Sequence, residues 1–211
     1  MFILIIQSTY EQVEIAIYNN NSQIASRFIA KQEASSKILI GINDLLDKCQ
    51  ITIKDIDKII VNLGPSPFTT LRTVISTVNG LAFAEQIPVV GVDGLKAFVN
   101  HDAKKFSDMH IVVVLNAFAN DVYYAIKNPA SKNIETGITT IDDLSEKVGQ
   151  LKNFYLAGNG YQLHKDKFAG HNFNIIDLSY PSLEAIFNEA KGQESQTQVL
   201  PMYLKAIKIY K

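Results

Sequence analysis

The chain reads as an α/β protein of two successive units, each a strand meander followed by helix, strand, helix and strand. Three observations carry this reading. "FILIIQST" at the start and "MHIVVVLNA" near the middle are continuous apolar runs, the pattern of strands covered on both faces. Each run is followed by further strand-like segments and then by a stretch with apolar period near 3.6. The order of elements recurs, with no residue-level repeat behind it, so the duplication is one of topology.

Taken in order, "QVEIAIY" alternates, with Val13, Ile15 and Ile17 facing one way and Glu14 and Ala16 the other. After the turn "NNNSQ", "IASRFIA" is a third strand. A helix over residues 34–49 places Ile38, Leu39, Ile42, Leu45, Leu46 and Cys49 on one stripe. "KDIDKIIVNLG" supplies the fourth strand, residues 67–86 the second helix, "IPVVGV" the fifth strand, and "DGLKAFVNH" the passage onward. In the second unit "DVYYAIKN" and "KNIETGITTI" continue the meander. The helix "DDLSEKVGQL", the strand "NFYLAG", the short helix "GYQLHKDKFAG", the strand "NFNIIDL" and the helix "SLEAIFNEAK" follow. The expected division is an N-terminal lobe over 1–103, a C-terminal lobe over 104–192 and a tail over 193–211. In the tail "GQESQTQ" is polar and flexible, and "LPMYLKAIKIYK" packs back on the body.

Composition narrows the function. With 211 residues, 47% apolar and 19% charged, the chain has ample core for a folded protein. A net charge of −1 provides no basic surface, so an RNA substrate would need a partner for most phosphate contacts. The single Cys49 excludes an internal disulfide framework and a Cys-based zinc site, and its place on the apolar stripe makes it core rather than nucleophile. "MFILIIQS" is too short for a signal-peptide core and lacks a positive flank, and no run approaches the ~18 apolar residues of a membrane span. The expectation is a soluble cytoplasmic protein without a membrane partner.

The stretch "LGPSPFTTLR" has the outline of a phosphate loop entering a helix. Its two prolines remove donors, one glycine is present, and no lysine follows at P-loop spacing. Helix entry is the better reading: Gly64 permits an unusual φ, Pro65 stiffens the turn, Ser66 caps, and Pro67 takes the first helical position. Beyond it, Leu71, Val74, Ile75, Val78, Leu81 and Ala82 share one face of the helix. Thr69, Thr73, Ser76, Thr77, Gly80 and Ala84 share the other, and no charge falls between Arg72 and Glu85. A surface helix usually carries charge on its outer face. Either the first helix covers this face within the chain, or another molecule does.

Other candidates are weaker. His101, His110, His164 and His171 show no metal-ligand spacing, and no Gly-x-Ser-x-Gly elbow exists. Asp142 and Asp143 begin a helix, where carboxylates favour the positive dipole end. "AGNGY" makes Gly158 and Gly160 a plain turn or a weak nucleotide contact. Lys205, Lys208 and Lys211 form a solvated end, too few for a nucleic-acid site. No catalytic residue and no metal ligand is assigned.

The residues from Leu63 to Phe98, "LGPSPFTTLRTVISTVNGLAFAEQIPVVGVDGLKAF", resemble the signature of the bacterial TsaB (YeaZ) proteins: Gly-Pro-Gly-Ser-Phe-Thr-Gly-Leu-Arg, a Gly-Leu-Ala helix, then Ile-Pro and Val-Gly-Val-Ser-Ser-Leu. "FYLAGNGYQL" and "LPMYLK" are similar to the family's Gly-Asp-Gly and closing Pro-x-Tyr-Leu-Arg segments. The resemblance implies an actin-like ASKHA fold of two ribonuclease-H-like lobes, with mixed sheets flanked by helices. It implies a scaffold subunit, not catalytic on its own. Such a subunit docks on a TsaD-like transferase to make N6-threonylcarbamoyladenosine at position 37 of tRNA, with a TsaE-like ATPase joining the assembly. Docking in the family uses the first two helices, here Ile42, Leu45 and Leu46 with Phe68, Thr69, Thr73, Ser76, Thr77, Gly80 and Ala84. The uncharged second helix would favour a homodimer when the chain is alone; tRNA is expected to be reached through the complex, and no cofactor is assigned, with ATP or ADP admitted at the complex interface. The catalytic members' His-x-x-x-His pair is absent.

Four departures mark a divergent member. Gln7-Ser8-Thr9 stands for the family's Asp-Thr-Ser, and Ser66, Pro67 and Thr70 stand for Gly, Ser and Gly of the loop. Asn116-Ala117-Phe118 replaces Asp-Ala-Arg, and Ala34-Ser35-Ser36 occupies the place of His-Ser-x-x-Leu-Leu. Loss of the acid at Gln7 weighs against the rival reading, an ATPase or sugar-kinase-like enzyme using the inter-lobe cleft. The changes at 34–36 and 116–118 keep open a binding module of the same fold with a different partner.

Overall fold

In the computed structural model, which describes residues 1–102, 106, 108–131 and 133–204, the apolar run at the start forms β1 (Phe2–Ser8). Both of its faces are used: Ile3, Leu4, Ile5 and Ile6 are all buried. β1 is the middle strand of a sheet ordered β3-β2-β1-β4-β5. β2 (Gln12–Asn19) and β3 (Ser22–Ala30) run antiparallel as the meander, while β4 (Ile56–Asn62) and β5 (Val89–Val92) join in parallel on the other side. Parallel neighbours need crossovers, and α1 (Ala34–Lys48) and α2 (Phe68–Glu85) lie in those connections. Both helices pack on the face carrying Leu4, Ile6, Val13, Ile15 and Ile17.

The second sheet repeats the plan. β6 (His110–Asn116) is central in the order β10-β9-β6-β7-β8. β7 (Asp121–Lys127) and β8 (Ile134–Thr140) are antiparallel, and β9 (Phe154–Ala157) and β10 (Phe173–Ile175) are parallel. The one-turn α3 (Gly94–Ala97) leads into this unit at Leu95, and α4 (Ile141–Gly149) and α5 (Asn159–Leu163) belong to it. At the start of α4 the Asp143 amide donates to the Thr140 side chain at 3.2 Å, with Asp142 and Asp143 in the first turn.

The division between units follows packing rather than sequence order. The first unit takes Met1–Gly94 and also Leu183–Met202; the second takes Leu95–Ser182 and, beyond Met202, Tyr203 and Leu204. The last helix, α6 (Leu183–Glu189), was expected in a C-terminal lobe over 104–192. It packs instead on β1 and β4, on the sheet face away from α1 and α2, with Phe187 stacked on Tyr18 at 4.7 Å between ring centroids. A strand apolar on both faces requires cover on both, and α6 brings buried Leu183, Ala185, Ile186 and Phe187 to the second. The polar segment after it is held rather than loose: Gln196 pairs with Val89 of β5, and Val199 is buried in the first unit's core. Lys205, Lys208 and Lys211 lie outside the described residues.

Candidate functional site

The loop that opens α2 is fixed by a buried chain of amides. Asn62, at the end of β4, accepts from the Gly64 amide through Oδ1 at 2.8 Å and donates from Nδ2 to Gln7 Oε1 at 3.2 Å. Gln7, fully buried, donates to Glu14 Oε2 at 2.6 Å, and Gln12 donates to the other oxygen at 2.9 Å. The position where the resemblance would place an acid is therefore filled by an amide already engaged with the protein. Among the described residues no buried side-chain nitrogen or oxygen lacks a hydrogen-bond partner. Gly64 has φ of 113°, and the peptide bond between it and Pro65 is cis. Ser66 does not cap the helix, because its hydroxyl bonds that of Ser8. α2 begins at Phe68, with Pro67 before it in extended geometry and no side-chain cap. The Arg72 guanidinium lies over the Phe68 ring, 3.8 Å from its centroid.

α2 buries Thr70, Leu71, Val74, Ile75, Val78 and Ala82. Its outer face exposes Phe68, Thr69, Ser76, Gly80 and Ala84, with Thr73 and Thr77 half-buried. The threonine hydroxyls turn back on the helix: Thr73 Oγ1 donates to the Thr69 carbonyl at 3.0 Å and Thr77 Oγ1 to the Thr73 carbonyl at 2.9 Å. Their polar atoms are satisfied locally, which leaves methyl groups to an approaching surface. At Gly80 an added Cβ would meet nothing within 4 Å. Phe83, 80% exposed, joins this face at the spacing of Ser76 and Gly80, a position readable from helical periodicity and missed there. A groove of about 410 Å³ runs beside the helix start, lined by Lys31, Gln32, Ala34 and Ser35 on one side and Pro67, Phe68, Thr69, Thr70 and Thr73 on the other.

α1 contributes differently from expectation. Ile42, Leu45 and Leu46 are buried in the first unit's own core, so they are withdrawn from any docking surface. Leu39, placed with them on the apolar stripe, is 58% exposed, and Ile40 is 56% exposed. The core stripe is centred on Ile38, Ile42 and Leu45, and Leu39 falls at its edge. Cys49 caps the helix, half-buried against the core, with burial raising its thiol pKa.

In the second unit Gly158 and Gly160 serve packing. Gly158 has φ of 101°, and a Cβ on it would lie 2.2 Å from the Val114 carbonyl oxygen; one on Gly160 would lie 2.9 Å from the Leu115 carbonyl carbon. The backbone of α5 thus rests directly on β6, and Asn159 Oδ1 accepts the Asn116 amide at 3.1 Å. Among the described residues no three His, Cys, Asp or Glu side chains converge as metal ligands, and no helix is long and apolar enough to cross a membrane.

Over residues 21–200 the chain matches the family described as TsaD, tRNA N6-adenosine threonylcarbamoyltransferase. It is 25% identical to the tRNA threonylcarbamoyladenosine biosynthesis protein TsaB of Buchnera aphidicola subsp. Schizaphis graminum over 207 residues, 95% of this chain and 98% of that protein. Among solved structures it is similar in fold to YeaZ from Pseudomonas aeruginosa, with a TM-score of 0.76 at 21% identity over 96% of this chain and 99% of that one. More distantly it shares its fold with component A of (R)-2-hydroxyglutaryl-CoA dehydratase from Acidaminococcus fermentans, at a TM-score of 0.51 and 9% identity over 90% of this chain and 98% of that one. The architecture is the actin-like one, two mixed five-stranded sheets flanked by helices.

Proposed function

We propose a function from the premise that the chain belongs to the TsaD family, as a member of its TsaB/YeaZ group: it is a scaffold subunit for tRNA threonylcarbamoyladenosine biosynthesis. It docks on a TsaD-like transferase through the outer face of α2 and holds that enzyme in a productive conformation. The observation that carries this is the face itself, uncharged between Arg72 and Glu85 and lined by threonine methyls, Ser76, Gly80 and Ala84. Small side chains let a second helix approach closely, and the back-bonded hydroxyls remove most of the desolvation cost of covering them. Leu39 and Phe83 extend the face; Ile42, Leu45 and Leu46 support it from beneath.

The remaining roles rest on the family resemblance and the chain's charge. With a net charge of −1, the chain leaves tRNA to its partner. A TsaE-like ATPase joins the assembly, any ATP or ADP is held at the complex interface, and the protein works in the cytoplasm with its tRNA substrate. Replacing Thr77 or Gly80 by arginine tests the docking. Both positions sit on the outer face, and Gly80 has open space around it, so the isolated chain is expected to stay folded. A charge buried against the partner is expected to weaken binding more than about 100-fold. Calorimetric titration with the TsaD-like transferase of the same organism measures it, and an unchanged affinity removes α2 from the proposal.

A further inference from the structure

We infer that the segment from Gln196 to Met202 is a clasp that fixes the docking helix in position, and that Asn79 is the positioning residue through which it holds. This inference rests on the docking reading of α2. Three contacts define the clasp. Gln196 exchanges two backbone hydrogen bonds with Val89 of β5, at 2.7 and 2.9 Å. The Asn79 side chain grips Val199 at both ends of its backbone: the Val199 amide donates to Asn79 Oδ1 at 3.0 Å, and Asn79 Nδ2 donates to the Val199 carbonyl at 2.9 Å. The Met202 amide donates to the Leu63 carbonyl at 2.9 Å. The segment therefore touches the strand after α2, the helix itself, and the loop before it.

The chemistry is that of a missing strand. A helix flank has no free backbone groups to offer an extended neighbour, whose own donors and acceptors need partners once buried. The primary amide supplies one of each in a single side chain, so Asn79 acts as a rung of a ladder. Val199, 3% exposed, anchors the same stretch in the core with Val74 and Val78. At 100° per residue, Asn79 lies on the flank of α2 opposite Thr70, which faces the start of α1 across the groove. One flank of the helix is thus bounded by α1 and the other by the clasp, and Ser76 and Phe83 lie on the clasp side of the outer face. A partner that relies on close helix approach needs that face presented in one place, and ordering it beforehand lowers the cost of binding.

The test uses full-length variants titrated with the TsaD-like transferase well below their melting temperatures. Asn79→Ala removes both bonds from the helix side. Gln196→Pro removes the amide that donates to Val89, at the far end of the clasp. Each is expected to weaken binding about tenfold. The double variant is expected to lose little more than either single one, because both release the same element. Amide exchange is expected to quicken across residues 68–85 and to stay unchanged across 34–48. If Asn79→Ala changes neither affinity nor exchange while Thr77→Arg still destroys the complex, the clasp is overturned and the docking reading stands. Losses that simply add overturn it as well, since Asn79 and Gln196 would then act separately. If Thr77→Arg binds normally, the docking reading has failed and the clasp falls with it.

Discussion

A Cβ added at Gly80 would meet no atom within 4 Å, whereas one at Gly158 would lie 2.2 Å from a backbone oxygen. The same substitution is therefore expected to have opposite signs. Gly80→Ala fills a helix interior position with a better helix former and should raise stability by up to about 1 kcal/mol, read from the urea midpoint. It should also loosen the partner's grip, because the close approach is lost. Gly158→Ala forces a left-handed backbone and an overpacked contact, and should cost about 3 kcal/mol. In the sequence "AGNGY" a packing turn and a ligand turn are indistinguishable, because the deciding quantity is the distance to Val114, some forty residues away. Gln7 is the converse case. That it is no acid was legible at once; that it shares Glu14 with Gln12 and holds Asn62 was not, since these bonds join three strands.

At the scale of elements, period and alternation were sufficient for α1 and α2, whose boundaries fall within one residue of the expected 34–49 and 67–86. They were insufficient for α6, because an apolar helix face does not say which sheet it will cover. Its attachment has a measurable signature. Tyr18 sits between β2 and α6, and burial, with the negative Glu184 adding to it, raises its phenol from the ordinary 10.0 to about 12. The folded state thus favours the neutral ring. Its contribution to stability is complete below pH 10 and is lost as the pH rises through about 12. Tyr18→Phe is expected to remove that part of the alkaline unfolding profile, and ultraviolet titration of the parent chain is expected to carry a tyrosine transition near 12 that the variant lacks. A Tyr18→Phe profile superimposable on the parent would show that α6 does not bury the hydroxyl in solution.

For the whole molecule, the duplication of the two units was readable from the succession of segments, without any repeated residues to support it; the strand order that the two sheets share is seen only in the structure. The docking proposed for the uncharged α2 face carries an expectation for the chain alone. In the absence of its partner it is expected to pair with a second copy through a two-fold contact, because the same small-residue surface is complementary to itself. Light scattering on the purified chain should give twice the mass of one chain, converting to a one-to-one complex when the transferase is added; a monomer at micromolar concentration would remove the two-fold pairing. The first unit is discontinuous, taking Met1–Gly94 and Leu183–Met202, and this has a consequence for synthesis. Domains usually complete in the order in which the ribosome releases them. Here the segment Leu95–Ser182 supplies all the strands of the second unit before Phe187 exists to cover Tyr18 or Gln196 to pair with Val89. A nascent chain halted before residue 183 carries every strand of the later sheet while the earlier sheet still lacks the cover of α6 on one face.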